Sequence, residues 1–199
     1  MPEQRKVVTI LFADVVGSTA MAEQSDPEVV RATMARYFQR IAEISQSYGG
    51  TVEKFAGDAA MVVFGVPAVH DDDAERAVRA ALEIRDGASE VEVRVGVNTG
   101  EAVTAAREDR QFMVSGDAVN VAARLQDMTK DLDCKVIVSE EVCKTSGIPS
   151  DALTRTDVAI RGHDEPMTVR TAKDPTVLAG LLDSQSASTA PLAEAATPA

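Results

Sequence analysis

The 199-residue chain has no tryptophan, only 4% aromatic residues, two cysteines, and 20 basic residues against 32 acidic ones. Each shortage excludes something. Cys134 and Cys143 cannot make a disulfide framework or a metal knuckle, and they read as reduced thiols of a cytoplasmic chain. The longest apolar runs, around 61–66 and 177–182, fall far short of the roughly 18 residues a membrane span needs. Residues 1–6 (MPEQRK) lead straight into a strand, with no signal-peptide hydrophobic region. The net charge of −12 disfavours a surface that tracks phosphates, so nucleic acid and direct contact with an anionic membrane are not expected partners. It does not exclude a nucleotide, because a metal ion can bridge acidic side chains and phosphates.

The 45% hydrophobic share suits one ordinary globular domain. A unit of about 150 to 170 residues buries roughly two-thirds of its unfolded surface and needs no staples. Residues 6–13 (KVVTILFA) form a β-branched, apolar run, the pattern of a buried strand. A loop over 14–25 precedes a helix that Asp26 caps, Pro27 opens and Gly49-Gly50 ends. Val30, Met34, Tyr37, Phe38, Ile41 and Ile44 give that helix one apolar stripe. Residues 51–56 and 59–64 read as strands around a turn at Gly57-Asp58. A helix over 72–85 follows, then a strand at 91–97. After Asn98-Thr99-Gly100 a second strand at 101–106 is expected to pair with it, with 107–110 as a hairpin tip. Gly116-Asp117 opens a helix to about 128, followed by a strand at 135–138, a short helix after Ser139, and strands at 154–160 and 167–171. The domain is expected to span 1–173. The tail 174–199 is low in complexity, and from about 184 its Ser, Ala, Thr and Pro cannot bury a core. Strands alternating with helices, plus hairpins, predict an α/β or α+β chain with a mixed sheet.

Two aspartates stand where a sheet presents carboxylates rigidly: Asp14 ends the first strand and Asp58 sits in the hairpin turn. Together they can hold Mg²⁺, which takes oxygen ligands and bridges phosphates, although turn and cap aspartates are commoner than metal ligands. Val16, Gly17, Ser18 and Thr19 follow Val15 at a strand–loop–helix junction whose N–H groups can cradle phosphate oxygens. Asn120 and Arg124, four apart, share one face of their helix. An amide beside a guanidinium suits a ribose and a developing phosphoryl charge; a solvated polar stripe opposite Val119, Ala122, Ala123 and Met128 is the ordinary alternative.

The stretches VTILFADVVGST, GGTVEKFAGDAAMVVFG, VRVGVNTG and GDAVNVAARL occur in that order between about Lys6 and Thr171. They resemble the four main blocks of class III nucleotidyl cyclase catalytic domains, and HDDDAERAVRAALEIR at 70–85 looks most like the bacterial members, many of which belong to longer regulatory proteins. The resemblance implies an α+β sandwich with a ferredoxin-like, palm-type mixed sheet flanked by helices. It implies that ATP is converted to 3′,5′-cyclic AMP and pyrophosphate with two Mg²⁺ or Mn²⁺ ions per site. Asp14 and Asp58 match the metal-binding aspartates, and the Val15 carbonyl completes the ligand set. Asn120 matches the residue that orients the ribose, and Arg124 the one that stabilises the transition state. Lys54 matches the adenine-recognising lysine of adenylyl cyclases, where guanylyl cyclases carry Glu. Sites shared between the subunits of a head-to-tail homodimer, with regulatory domains if the chain is part of something longer, are also implied.

Three positions depart from the family pattern. Met113 stands at the purine-specifying position where Asp, Thr or Ser is usual, which raises guanylyl or relaxed specificity as an alternative. Glu101 replaces an Arg that often follows the third block. The late basic position that holds the terminal phosphates falls on Arg161 or His163. A degenerate, non-catalytic nucleotide-binding or dimerisation module is a further reading, against which stands the presence of both aspartates and the Asn/Arg pair. A palm-type polymerase or diguanylate cyclase is opposed by the absence of a GGDEF-like turn.

Overall fold

A computed structural model of the chain describes residues 3–87, 90–106, 112–172 and 174–188. The first strand, β1 (Gln4–Val15), is buried from Val8 to Leu11 and runs between two antiparallel neighbours. One neighbour is β3 (Ala59–Phe64), which forms a hairpin with β2 (Thr51–Ala56); the other is β4 (Val93–Ala106). The order β2-β3-β1-β4, all antiparallel, is that of two interleaved βαβ units, as expected for a ferredoxin-like or palm-type sheet. Beyond β4 the sheet continues through β6 (Val136–Ser139), which is parallel to it, then β8 (Met167–Thr171) and β7 (Thr154–Val158); β5 (Phe112–Ser115) pairs with the far end of β4.

Helices cover both faces. On one, α2 (Pro27–Ser47) and α3 (Asp73–Gly87) bury Tyr37, Ile41, Ile44, Ala77, Val78 and Ile84 against Leu11, Val62, Val95 and Val97. The predicted cap is present, the Asp26 carboxylate accepting from the Glu28 N–H at 2.8 Å. On the other face α4 (Asp117–Met128) lays Ala118 and Ala122 on Val8, Ile10, Met61 and Val63. Gly96 makes this approach possible, since a Cβ there would lie 2.3 Å from the Gln126 N and 2.7 Å from the Ala122 O. A short α5 (Glu140–Ser146) follows β6, capped by the Ser139 hydroxyl. Cys134 and Cys143 are free and buried in separate clusters, and burial pushes both thiols up to about 11, so neither is a reactive thiolate.

Three expectations need correction. The segment after Asp14 is not all loop: Gly17, at φ +71°, turns the chain into the short α1 (Ser18–Gln24). Residues 98–100 make no turn, and β4 runs straight through them. The Asn98 amide donates to the Ala118 carbonyl at 3.1 Å, Thr99 and Thr9 share a hydroxyl hydrogen bond of 2.8 Å, and Gly100 leaves room for Ala118. Turn-forming residues are used here to seat α4. Lastly, the packed unit does not stop at 173. The helix α6 (Thr176–Ser188) places Leu178 and Leu182 in the main core, and Asp183 pairs with Arg79 at 2.8 Å. Two leucines four apart suffice to dock a helix whose remaining composition looks unstructured. The expected hairpin tip at 107–110 and the low-complexity residues 189–199 lie outside the described residues.

Candidate active site

Asp14 is the penultimate residue of β1, paired with Ala59 on one side and Arg94 on the other, so its backbone is held by two ladders. Asp58 is presented by the tight turn between β2 and β3, with Gly57 at φ +66°. Elements far apart in sequence thus bring the two carboxylates into hydrogen-bonding contact. Burial, then the Asp58 carboxylate and the bond to it, push Asp14 up to about 6, while the Val15 amide and Lys130 pull the other way. One Asp14 oxygen, Oδ1, is buried with no hydrogen-bond partner. Such an oxygen calls for a proton or a cation.

The residues fit a divalent cation of the oxygen-seeking kind. Among the described residues no three His, Cys, Asp or Glu side chains cluster as a metal site. Two carboxylates therefore need further oxygens, from the adjacent backbone or from a substrate, which is how Mg²⁺ is commonly held. Ser18, at the start of α1, donates its hydroxyl to Asp58 Oδ2. Val15 is the last residue of β1, with Val16 donating to the Glu92 carbonyl at 2.8 Å; Gly17 and Thr19 are exposed.

Among the described residues, no hydrogen bond or ion pair joins Asn120, Arg124, Lys54, Met113 or Arg161 to this pair. Asn120 and Arg124 lie on the exposed face of α4, opposite the buried Val121, Ala122 and Leu125, and their side chains make no hydrogen bond or ion pair with another described residue. Lys54 is half-exposed on β2, its Nζ 3.5 Å from Glu53 Oε2. Met113 projects from β5 at 46% exposure. Arg161 is exposed beyond β7, without an ion pair among the described residues, whereas His163 is held by Asp117 at 3.0 Å. Glu101 lines a cavity of about 500 Å³ at the opposite end of the β1–β4 ladder, with Asp117, Glu140, Glu141 and Lys144. That cavity is anionic and unsuited to a triphosphate.

Sequence reasoning missed three neighbours of the site. Tyr37 of α2 has a buried hydroxyl without a partner, and burial followed by the nearby Asp14 and Asp58 charges keeps it a neutral phenol. Its place in an apolar stripe had hidden it. Arg94, across the ladder from Asp14, has Nε and Nη1 buried without hydrogen bonds. Its alternation with Val93 and Val95 marks it as facing away from the α2–α3 core, which was the available signal. The third is Glu53, whose Oε2 is buried and has no hydrogen bond.

Comparison with known proteins bears on the family and the fold. The model of the "Adenylate and Guanylate cyclase catalytic domain" matches residues 1–171. Adenylate cyclase 1 of Rhizobium meliloti (strain 1021) is 33% identical over 153 residues, covering 69% of this chain and 23% of that protein. An uncharacterised protein of Mycobacterium tuberculosis (strain ATCC 25618 / H37Rv) is 31% identical over 180 residues, covering 85% of this chain and 33% of its own length. The chain thus spans about a quarter to a third of these curated relatives. Among solved structures, the adenylyl cyclase CyaB from P. aeruginosa superposes with a TM-score of 0.74 at 26% identity, covering 87% of this chain and 97% of that one. The guanylyl cyclase Cya2 follows at 0.71 and 27%, covering 86% and 93%. With its ferredoxin-like sheet, its paired carboxylates and a family match across nearly its whole described length, the chain belongs to the adenylate and guanylate cyclase catalytic domain family.

Proposed function

We propose that the chain is an adenylyl cyclase, converting ATP to 3′,5′-cyclic AMP and pyrophosphate at sites shared by the two subunits of a head-to-tail homodimer in the cytoplasm. The observation that carries the reading is the meeting of Asp14 and Asp58, with one buried oxygen lacking a donor. Asp14, Asp58 and the Val15 carbonyl would hold two Mg²⁺ or Mn²⁺ ions, which when bound lower the pKa of the ribose 3′-hydroxyl and neutralise the triphosphate. In the reaction that hydroxyl passes its proton to solvent water, its oxygen bonds to the α-phosphorus, and the bond to the pyrophosphate oxygen breaks, the pyrophosphate leaving with the electron pair. Arg124 offsets the charge growing on the α-phosphate, and removal of such a group costs about 10²-fold or more in rate. Asn120 orients the ribose, Lys54 donates to the adenine ring, and residues 16–19 and Arg161 meet the phosphates. The exposure of Asn120 and Arg124, which make no hydrogen bond or ion pair with the carboxylates of their own chain, supports a site completed by a second subunit. No helix among the described residues is long and apolar enough to cross a membrane.

Guanylyl or relaxed specificity is the second reading, favoured by the exposed Met113 and by the likeness to Cya2. Steady-state assays with ATP and GTP, with Mg²⁺ or Mn²⁺ and chromatographic identification of the product, decide between them. The expected result is a higher kcat/KM for ATP, abolished in Asp58→Asn. A clear GTP preference overturns the adenylyl assignment.

A further inference from the structure

The strand β2 is irregular at one place. Its pairing with β3 runs Thr51 to Val63 and Val52 to Val62, then resumes with Lys54 opposite Met61, leaving Glu53 as an extra residue. Such a bulge turns two consecutive side chains toward the same face and recurs beside functional sites. Met61 belongs to the cluster under α4, so Lys54 opposite it is directed to that side of the sheet, and the Glu53 carboxylate reaches the Lys54 ammonium. The Glu53 side chain is only 11% exposed, against 50% for Lys54, and its Oε2 lies 3.5 Å from the Lys54 Nζ. The oxygen is buried and accepts no hydrogen bond. The ion pair is therefore close but leaves acceptor capacity unused, an uncommon state for a buried carboxylate.

We infer that Glu53 is a base-recognition residue, its carboxylate accepting a hydrogen bond from the exocyclic amine of the purine while Lys54 donates to the neighbouring ring nitrogen. The inference rests on the proposed ATP reading and supplies what that reading lacks. A 6-aminopurine presents a ring acceptor and an amine donor side by side, and the Lys54–Glu53 pair presents a donor and an acceptor side by side. Met113 has no good acceptor for an amine. Its strand, β5, pairs with β4 and approaches β2, so the acceptor missing from β5 is available on β2. Movement of the half-exposed Lys54 ammonium onto the ring nitrogen uncovers the Glu53 oxygen for the amine.

The test pairs a change in the protein with a change in the ligand. ATP and purine riboside triphosphate, which lacks the 6-amino group, are compared on the wild-type chain, Glu53→Leu and Glu53→Gln. Both kcat/KM and equilibrium affinity, by displacement of a fluorescent nucleotide, are measured. The wild type should favour ATP by about 10- to 100-fold, the range for a hydrogen bond to a charged group. Glu53→Leu should lose that preference by weakening ATP alone, and Glu53→Gln, which keeps a neutral acceptor, should retain part of it. If Glu53→Leu does not fold, the Gln variant decides alone. Equal loss for both nucleotides, or an unchanged preference, overturns the inference and leaves Glu53 as a counter-ion of Lys54. Wild-type protein that turns over neither nucleotide, or prefers GTP, defeats the proposed function instead, and the affinity comparison still judges Glu53.

Discussion

The Ser18 hydroxyl donates a hydrogen bond to Oδ2 of Asp58, tying the start of α1 to the β2–β3 turn. Partners that orient a metal-binding carboxylate typically matter by 10- to 100-fold in affinity. Ser18→Ala should therefore weaken Mn²⁺ binding, followed by calorimetry or Mn²⁺ electron paramagnetic resonance, by about 10-fold. Thermal stability of the metal-free chain should change little. Unaltered affinity would show that the contact has no orienting role.

Asp14 gives the metal-free chain a pH signature. Its folded-state carboxyl sits near 6 against an ordinary value of 3.8. Between these values the folded chain keeps a proton that the unfolded chain has lost. The contribution of Asp14 thus favours folding most at the acid end of that window and declines as pH rises through about 6. In a chelator, the Tm of Asp14→Asn relative to wild type should rise from pH 4 to pH 7. A divalent cation should act in the opposite sense, raising the wild-type Tm more at pH 8 than at pH 5.5, because it binds the ionised pair. A Tm difference that does not vary with pH refutes the assignment.

Asp58→Asn and Arg124→Ala should each be nearly inactive, with the Arg124 variant within about 0.5 kcal/mol of wild type in stability because its side chain is exposed. Mixed, they should regain part of the wild-type activity, since a heterodimer keeps one intact site. Failure to recover, with both variants folded and dimeric by light scattering, argues against a shared site.

Much of the architecture was legible because periodicity and punctuation agree. Asp26-Pro27 and Gly49-Gly50 bracket α2, and the places of Asp14 near the end of β1 and of Asp58 in the turn before β3 follow from the apolar runs that flank them. What escaped was set by tertiary contact. Asn98-Thr99-Gly100 has turn chemistry, yet the residues bond Ala118 and Thr9 inside a long strand. Leu178 and Leu182 are apolar, but only the groove that receives them shows that they matter. The bulge at Glu53 has no composition signal, because register belongs to a pair of strands.

Gly96→Ala should be among the most damaging small changes in the chain. The added Cβ meets the backbone of α4 at Gln126 and Ala122, which cannot yield by a rotamer change. Urea unfolding should reveal a loss of about 2–3 kcal/mol, together with loss of activity as α4 shifts Asn120 and Arg124. Stability within about 0.5 kcal/mol of wild type would mean that α4 relaxes freely.

The double pairing of Asp14 also orders events in time. One of its partners, Ala59, and the other, Arg94, come from distant parts of the chain, so the proposed cation pocket of Asp14 and Asp58 would form only with long-range strand pairing. A metal ion would therefore have little to grip during the search for the native topology. Binding to the finished pocket would act on escape from the folded state, lengthening the lifetime of the protein.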